Sequence, residues 1–332
     1  RQVVIMIDGV QVTDPSSISN DYDLRLVPSE SIERIEILKG ASSVLYGANA
    51  STAVISITTK KASDKKIALT YTTTIGSNQS TEDQDFDVNE YTNFVALNGT
   101  LGKFFYNATL NQRYVDGLSA TTTVDNANRV EDDFNRHNLR FNLGYNFNEN
   151  ITISQFVSKE FFDAEYDNFD FTDADNLSIS KNIRTGGHFK WKYKSGEYVF
   201  NDNMSFFERE FVSNFPSKSE AEVYTLDNYL NHRFNSKFSG LVGLNVNFSK
   251  YRSEAIPFGE FDFEENLSDE DANFDIIDPY VNVLYKTDFG LTLNAGARVN
   301  IHSVYDTHVV FNMNPSYNVA FGEANVKFLG SY

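Results

Sequence analysis

The links between the hydrophobic stretches of this chain constrain its fold more than the stretches themselves. From Ile67 onward, runs of alternating residues recur, and every second link between them is a tight turn: Gly102–Lys103, Asn148–Asn150, Ser195–Glu197, Asn235–Lys237, Asp288–Gly290 and Phe321–Glu323. The other links, except a short one at Tyr305–Thr307, are long: 78–90, 118–134, 165–177, 212–220 and 254–275. With Asp306 they hold 25 acidic and 2 basic residues. An antiparallel meander built this way has all its short turns at one end and all its long acidic loops at the other. That is the pattern of a β-barrel crossing an outer membrane. A soluble meander has no physical reason to sort its loops by length.

The stretches themselves read as strands. In 138–147, Leu139, Phe141, Leu143, Tyr145 and Phe147 oppose Asn138, Arg140, Asn142, Gly144 and Asn146. In 291–302, Leu291, Leu293, Ala295, Ala297, Val299 and Ile301 oppose Thr292, Asn294, Gly296, Arg298, Asn300 and His302. Segment 238–249 alternates in the same way. A period of two sustained over ten residues belongs to a strand, and about ten residues is the length of a tilted membrane crossing. The same reading places strands near 67–77, 91–102, 104–117, 135–149, 151–164, 178–194, 198–211, 221–235, 238–253, 276–287, 291–304 and 308–321, with a thirteenth starting at Ala324.

Composition narrows the function. The 332 residues carry a net charge of −18, which argues against a nucleic-acid partner, because phosphates require a basic face. Without a cysteine there is no disulfide, thiolate metal site or Cys nucleophile. The five histidines, His137, His188, His232, His302 and His308, are scattered singly and make no triad or H-x-x-x-H pair. Residues 1–66 are neutral, with 8 basic and 8 acidic groups, so the remaining 266 residues carry the whole charge. This divides the chain into 1–66 and a barrel portion, 67–332. The chain begins without Met and stops inside a strand, so it reads as an internal piece of a longer protein.

The leading segment contains VVIMIDGV, then P-S-E-S-I-E-R-I-E-I-L-K-G, the small-residue S-S-V-L-Y-G turn and A-V-I-S-I-T-T-K-K. Gly40 and Gly47 bracket a tight turn, and Ser42 and Ser43 are placed to cap it. These spaced elements, in this order and followed by barrel strands, resemble the C-terminal part of the plug domain of TonB-dependent outer-membrane receptors. The resemblance implies an all-β fold: a transmembrane antiparallel barrel of about 22 strands in the full protein, with 12–13 of them here. The plug sits inside its lumen. It also implies import of a scarce nutrient, of cobalamin or ferric-siderophore type, by a bacterial outer-membrane protein that is not an enzyme. Glycan import is the alternative within the superfamily. A passive porin and an outer-membrane barrel enzyme are alternatives from other classes, and neither needs a plug.

The implied partners are the energy-transducing TonB protein, through a TonB box outside this sequence, outer-membrane lipid and lipopolysaccharide, the nutrient, and a surface or periplasmic binding protein. Charged residues of the plug strand, here Arg34, Glu36 and Lys39, pair with the barrel wall in the family. Lys39 stands where the family often has Arg. The outward plug loop, 13–23, offers Asp14, Ser16, Ser17, Ser19, Asn20, Asp21 and Tyr22 for substrate contact. No resident cofactor is implied except calcium, which the close carboxylates Asp167, Asp170, Asp173 and Asp175 suit as hard oxygen donors.

Overall fold

The structure, a computed structural model, describes residues 3–17, 20–39, 43–47, 50, 52–78, 86–117, 131–170, 172–322 and 324–332. Ser19, Gly40, Ser42 and most of loops 78–90 and 118–134 lie outside the described residues.

A small sheet comes first: β1 (Val3–Ile7), β2 (Val10–Val12), β3 (Ile32–Lys39) and β4 (Ala53–Thr59), in the order β2–β1–β4–β3. Ile7 pairs with Val10, leaving Asp8 and Gly9 as a two-residue turn, with φ of 52° and 85°. Positive φ at both positions is the hairpin turn whose twist matches its strands, and Asp-Gly is a preferred sequence for it. Two single-turn helices, Leu24–Leu26 and Ser29–Ser31, and one short helix, α1 (Ser43–Tyr46), complete this unit.

The wall follows as one antiparallel sheet in sequence order. Its strands are β5 (Ala68–Gly76), β6 (Glu90–Leu101), β7 (Phe104–Val115), β8 (Phe134–Asn146), β9 (Ile151–Tyr166), β10 (Asn176–Tyr193), β11 (Gly196–Val212), β12 (Ser217–Arg233), β13 (Phe238–Ala255), β15 (Asn273–Lys286), β16 (Leu291–His302), β17 (His308–Phe321) and β18 (Ala324–Leu329). A short β14 (Glu264–Leu267) folds back onto the long-loop end of β13. β5 and β18 are the edges of this sheet. The boundary expected at residue 66 falls in the connection between β4 and β5.

Two expectations are corrected. The 212–220 link is only four residues, because Ser217–Glu220 continues β12, paired with Arg252–Ala255. The 254–275 loop contains the unforeseen β14.

Burial on the wall is inverted relative to a soluble protein. The face toward the small sheet buries Asn111, Arg136, Asn138, Glu160, Asn182, Arg184, Asn203 and Arg298. The opposite face exposes Leu139, Phe141, Leu143, Val157, Ile183, Val242 and Val281. A row of exposed aliphatic side chains backed by buried charge is stable only where the outer medium is hydrocarbon. The band has edges. On β10 it runs from Lys181, paired with Glu208 at 3.3 Å, to Trp191 at the short-turn end, ten residues later. That is the length of a tilted crossing. The exposed pair Arg252–Glu220 continues the upper boundary, and Phe147 and Tyr285 continue the lower aromatic one. β10 and β13 have 18 residues each, so their outer ends extend past the bilayer toward the long loops. No helix among the described residues is long and apolar enough to cross a membrane; the strands cross instead.

The small sheet is held in the concavity of the wall by a shared core. Ile5, Ile7, Leu26 and Ile57 pack against Phe162, Phe207, Ala221 and Val223 of β9, β11 and β12.

Candidate functional site

The seam between the small sheet and the wall carries most of the buried charge. Its centre is Glu160 on β9. Register places Asn182 of β10 directly opposite, and Asn182 Nδ2 donates to Glu160 Oε2 at 2.9 Å. The Tyr22 hydroxyl donates to the same oxygen at 2.7 Å, and Ser158 Oγ to Oε1 at 3.0 Å. Arg184 lies 3.5 Å from Oε1 and reaches both the Tyr22 hydroxyl and Asn203 Oδ1. Burial, then the Glu160 charge, pushes the Tyr22 phenol well above its ordinary value, so it remains a donor. A buried pair of this kind holds because every charge is met.

Around that centre the wall supplies donors and the small sheet supplies acceptors. Asp14, fully buried, pairs with Arg209 at 2.7 Å and accepts from Ser16 N and Oγ. Burial raises the Asp14 carboxyl above its ordinary value, with Arg209 acting against it. Arg136 Nη1 donates to Arg25 O, and Asn138 Nδ2 to Leu26 O, so wall side chains satisfy the carbonyls of the 24–26 turn. At the short-turn end, Arg140 meets Asp8 at 3.1 Å. Asp8 also accepts from Thr59 N and Oγ1. Arg298, paired with Asp278, donates to the carbonyls of Val44 and Leu45 in α1.

This corrects the role expected of two residues. Asp14 and Tyr22 were expected to contact substrate, but their polar atoms are taken up by Arg209, Glu160 and Arg184, which makes them anchors. Ser16, Ser17 and Asn20 are half-buried and Asp21 is exposed at the lip. Arg34 and Glu36 pair with each other at 3.1 Å on the exposed edge strand β3, and Lys39 is exposed on the same strand. Among the described residues, side-chain contacts to the wall come from Asp8, Asp14, Tyr22 and Glu30, which accepts from Asn111 at 3.3 Å, and from Arg25 over Phe162, beside those of backbone carbonyls.

At the long-loop end an outer cavity of about 760 Å³ opens between β9, β10, β11 and β12. Tyr166, Phe169, Phe211 and Phe215 supply its aromatic faces, and Glu165, Asp167 and Asp170 its carboxylates. Phe169 is wholly exposed, which is costly for a benzyl group in water unless something covers it. The small sheet reaches this cavity through Arg25, whose guanidinium stacks 4.4 Å from the Phe162 ring and is held by Asp23 at 2.7 Å. Arg25 was absent from the expected contacts; its neighbour Asp23 was the only sequence clue.

Burial raises Asp23, but the hydrogen bonds from Arg25 outweigh it and hold the carboxyl below its usual range. A lowered pKa contributes stability present above the unfolded value and lost as pH falls through the folded one. Acidification below the ordinary carboxylate range is therefore expected to loosen the 23–26 turn. Amide exchange at Arg25 and Leu26, followed from neutral to acid pH, measures this.

The calcium expectation meets a different arrangement. Asp170 accepts from Thr172 N and Oγ1, which lowers its pKa, and Asp167 accepts from Ala174 N. Asp173 and Asp175 lie in the same loop. Asp167 and Asp170 thus cap the loop's own backbone, and among the described residues no three His, Cys, Asp or Glu side chains converge as a metal site.

Residues 1–54 match the family model of the TonB-dependent receptor plug domain. This leading segment is similar to the plug of TonB-dependent receptors. The small sheet lies largely within the matched plug segment, and the wall is the barrel-type antiparallel sheet beside it. Half of the chain, 171 residues, is 29% identical to the rhizobactin receptor of Rhizobium meliloti (strain 1021), covering 22% of that protein. Among solved structures, the siderophore receptor PirA from Pseudomonas aeruginosa aligns with a TM-score of 0.72 and 18% identity, over 98% of this chain and 53% of that one. The ferric enterobactin receptor PfeA from the same organism, as a point variant, gives a TM-score of 0.73 at 15% identity, over 98% of this chain and 53% of that one. The copper transporter OprC gives 0.70 at 12% identity, over 96% and 53%. At these identities the structures share the fold. The chain spans about half the length of these solved relatives and about a fifth of the curated one.

Proposed function

We propose that the receptor imports a ferric siderophore across the outer membrane, with the energy delivered through the plug by TonB and an inner-membrane motor. The observation that carries this reading is the small sheet anchored in the concavity of the wall by a buried charge network, Tyr22–Glu160–Arg184 at its centre. A passive pore has no use for a domain anchored against its inner face in this way. The siderophore emphasis comes from the sequence relative, named as a rhizobactin receptor, and it favours iron over cobalamin or glycan. The reading is of transport rather than catalysis.

The outer cavity is the place for first capture. Its aromatic faces and the Arg25 guanidinium suit a bulky polar complex, and 760 Å³ is within the range of small-molecule sites. Ser16, Ser17, Ser19, Asn20 and Asp21 of the 13–23 loop are the candidates for solute contact from the plug side. The acidic loops face lipopolysaccharide, where divalent cations would bridge carboxylate to phosphate; Asp167, Asp170, Asp173 and Asp175 are the candidates for that calcium. A surface or periplasmic binding protein would deliver or receive the solute.

Calorimetry on the intact receptor in detergent tests the assignment, using ferric siderophores, cobalamin and oligosaccharides, each with and without calcium. Saturable sub-micromolar binding of a ferric complex is the expected result. Binding confined to cobalamin or to a sugar would replace the substrate and leave the transporter reading standing. Silence toward all three, together with steady conductance in a planar bilayer, would make the protein a pore.

A further inference from the structure

We propose that the solute leaves the lumen along the β7–β10 side of the seam, and that Arg140, held by Asp8, closes that passage. This rests on the import reading above and assigns its inner route.

The seam is packed unevenly. Toward β11 and β12 it is filled by Ile5, Ile7, Ile57, Phe207, Ala221 and Val223, with no room for a polar solute. Toward β16 it is closed by α1 on Arg298. Against β7–β10 it is hollow. A cavity of about 490 Å³ lies on the periplasmic side of Arg140, between the 58–62 segment of the plug and the inner face of β7–β10. A second, of about 350 Å³, lies between β3–β4 and β6–β7. A third, of only about 40 Å³, sits beneath Leu26 and Glu160. Arg140 lines all three. The route therefore narrows where its guanidinium stands.

Two contacts fix that guanidinium. It stacks 3.9 Å from the centre of the Phe156 ring, and it pairs with Asp8 at 3.1 Å. Phe156 belongs to the wall and does not move with the plug. Asp8 is the first residue after β1 and is tied to Thr59, the last residue of β4. Displacing the β1–β2 turn withdraws the carboxylate, and the arginine is then free to lie against the wall. The channel so opened is already polar and uncrowded. Asn142, Ser154, Gly186 and His188 face it from the wall, and Lys60 and Lys61 from the plug. Phe105 lies flat across Gly144, where a Cβ would come within 1.9 Å of its ring, so this glycine lets the aromatic fold back and keeps the cavity open.

Two variants of the intact receptor test the route. Ser154→Trp puts an indole into the 490 Å³ cavity, far from the outer cavity. It is expected to bind ferric siderophore within about twofold of the wild type while iron-55 uptake by cells falls at least tenfold. Ser154→Ala should import normally. Arg140→Ala removes the closing group and is expected to show conductance steps in planar bilayers that the wild type lacks. Heat-modifiable gel mobility confirms the fold of each. Wild-type uptake by a folded Ser154→Trp, or a silent Arg140→Ala, would overturn the assignment. If the wild type binds no ferric complex, the substrate reading falls, and the conductance of Arg140→Ala still decides the passage.

Discussion

Replacing Glu160 by Ala is expected to loosen the plug in its seat without unfolding the barrel. The side chain is the shared acceptor for Tyr22, Asn182, Ser158 and Arg184. Without it, the Arg184 guanidinium remains buried, with about 3% of its side chain exposed, and has lost its nearest carboxylate. Breaking a buried pair by removing one partner costs about 3–5 kcal/mol, most of it the stranded charge. Tyr22→Phe deletes one hydrogen bond and should cost about 1 kcal/mol. The double variant Glu160→Ala/Arg184→Ala should be less damaged than the sum of its parts, since it strands no charge. Hydrogen exchange over residues 20–27 reads the effect locally, and heat-modifiable mobility shows the barrel intact. Equal protection in Glu160→Ala and wild type would mean that the apolar seam alone holds the plug.

The second large effect concerns the outer face. Phe141 is exposed near the middle of β8, between neighbours that are also apolar and exposed, while Asn142 faces the 490 Å³ cavity. Phe141→Arg sets a charge against hydrocarbon near the bilayer midplane, at a cost of about 2–4 kcal/mol. Asn142→Asp, one residue along, sets a charge in a wet lumen beside Arg140. The first variant should lower the yield of folded, heat-modifiable receptor in the outer membrane, and the second should not. The reverse order would mean that the inner and outer faces have been exchanged.

These two expectations depend on different kinds of information, and the sequence carried only one of them well. The face that meets lipid was legible, because Leu139, Phe141 and Leu143 alternate with polar residues over a whole strand, and a one-residue slip would reverse every side chain. The end that meets the outside was legible from loop length. The strand at Ser217–Glu220 was not: S-K-S-E lies above the lipid band, where alternation is no longer enforced, so it read as loop. β14 was missed for the same reason. Within the plug, the region 13–23 was singled out for substrate contact, and two of its residues, Asp14 and Tyr22, instead pair with the wall. Asp14 and Tyr22 look like ligand groups until their partners are known, and those partners are 195 and 138 residues away in sequence. Glu160, Arg184 and Arg209 sit on polar faces that look alike along every strand. Only the register, which sets Asn182 against Glu160, turns them into a network. The plug strand drew attention through Arg34, Glu36 and Lys39, yet among the described residues the ion pairs that cross to the wall come from Asp8 and Asp14.

The central claim is energised import, and uptake of a ferric siderophore labelled with iron-55 into cells carrying the intact receptor measures it most directly. Saturable uptake is expected that disappears when the gene is deleted and also when a protonophore collapses the inner-membrane gradient, while binding at the cell surface persists. Uptake that continues undiminished after the gradient is collapsed would contradict the account, because an anchored plug has to be displaced by work before the complex can pass.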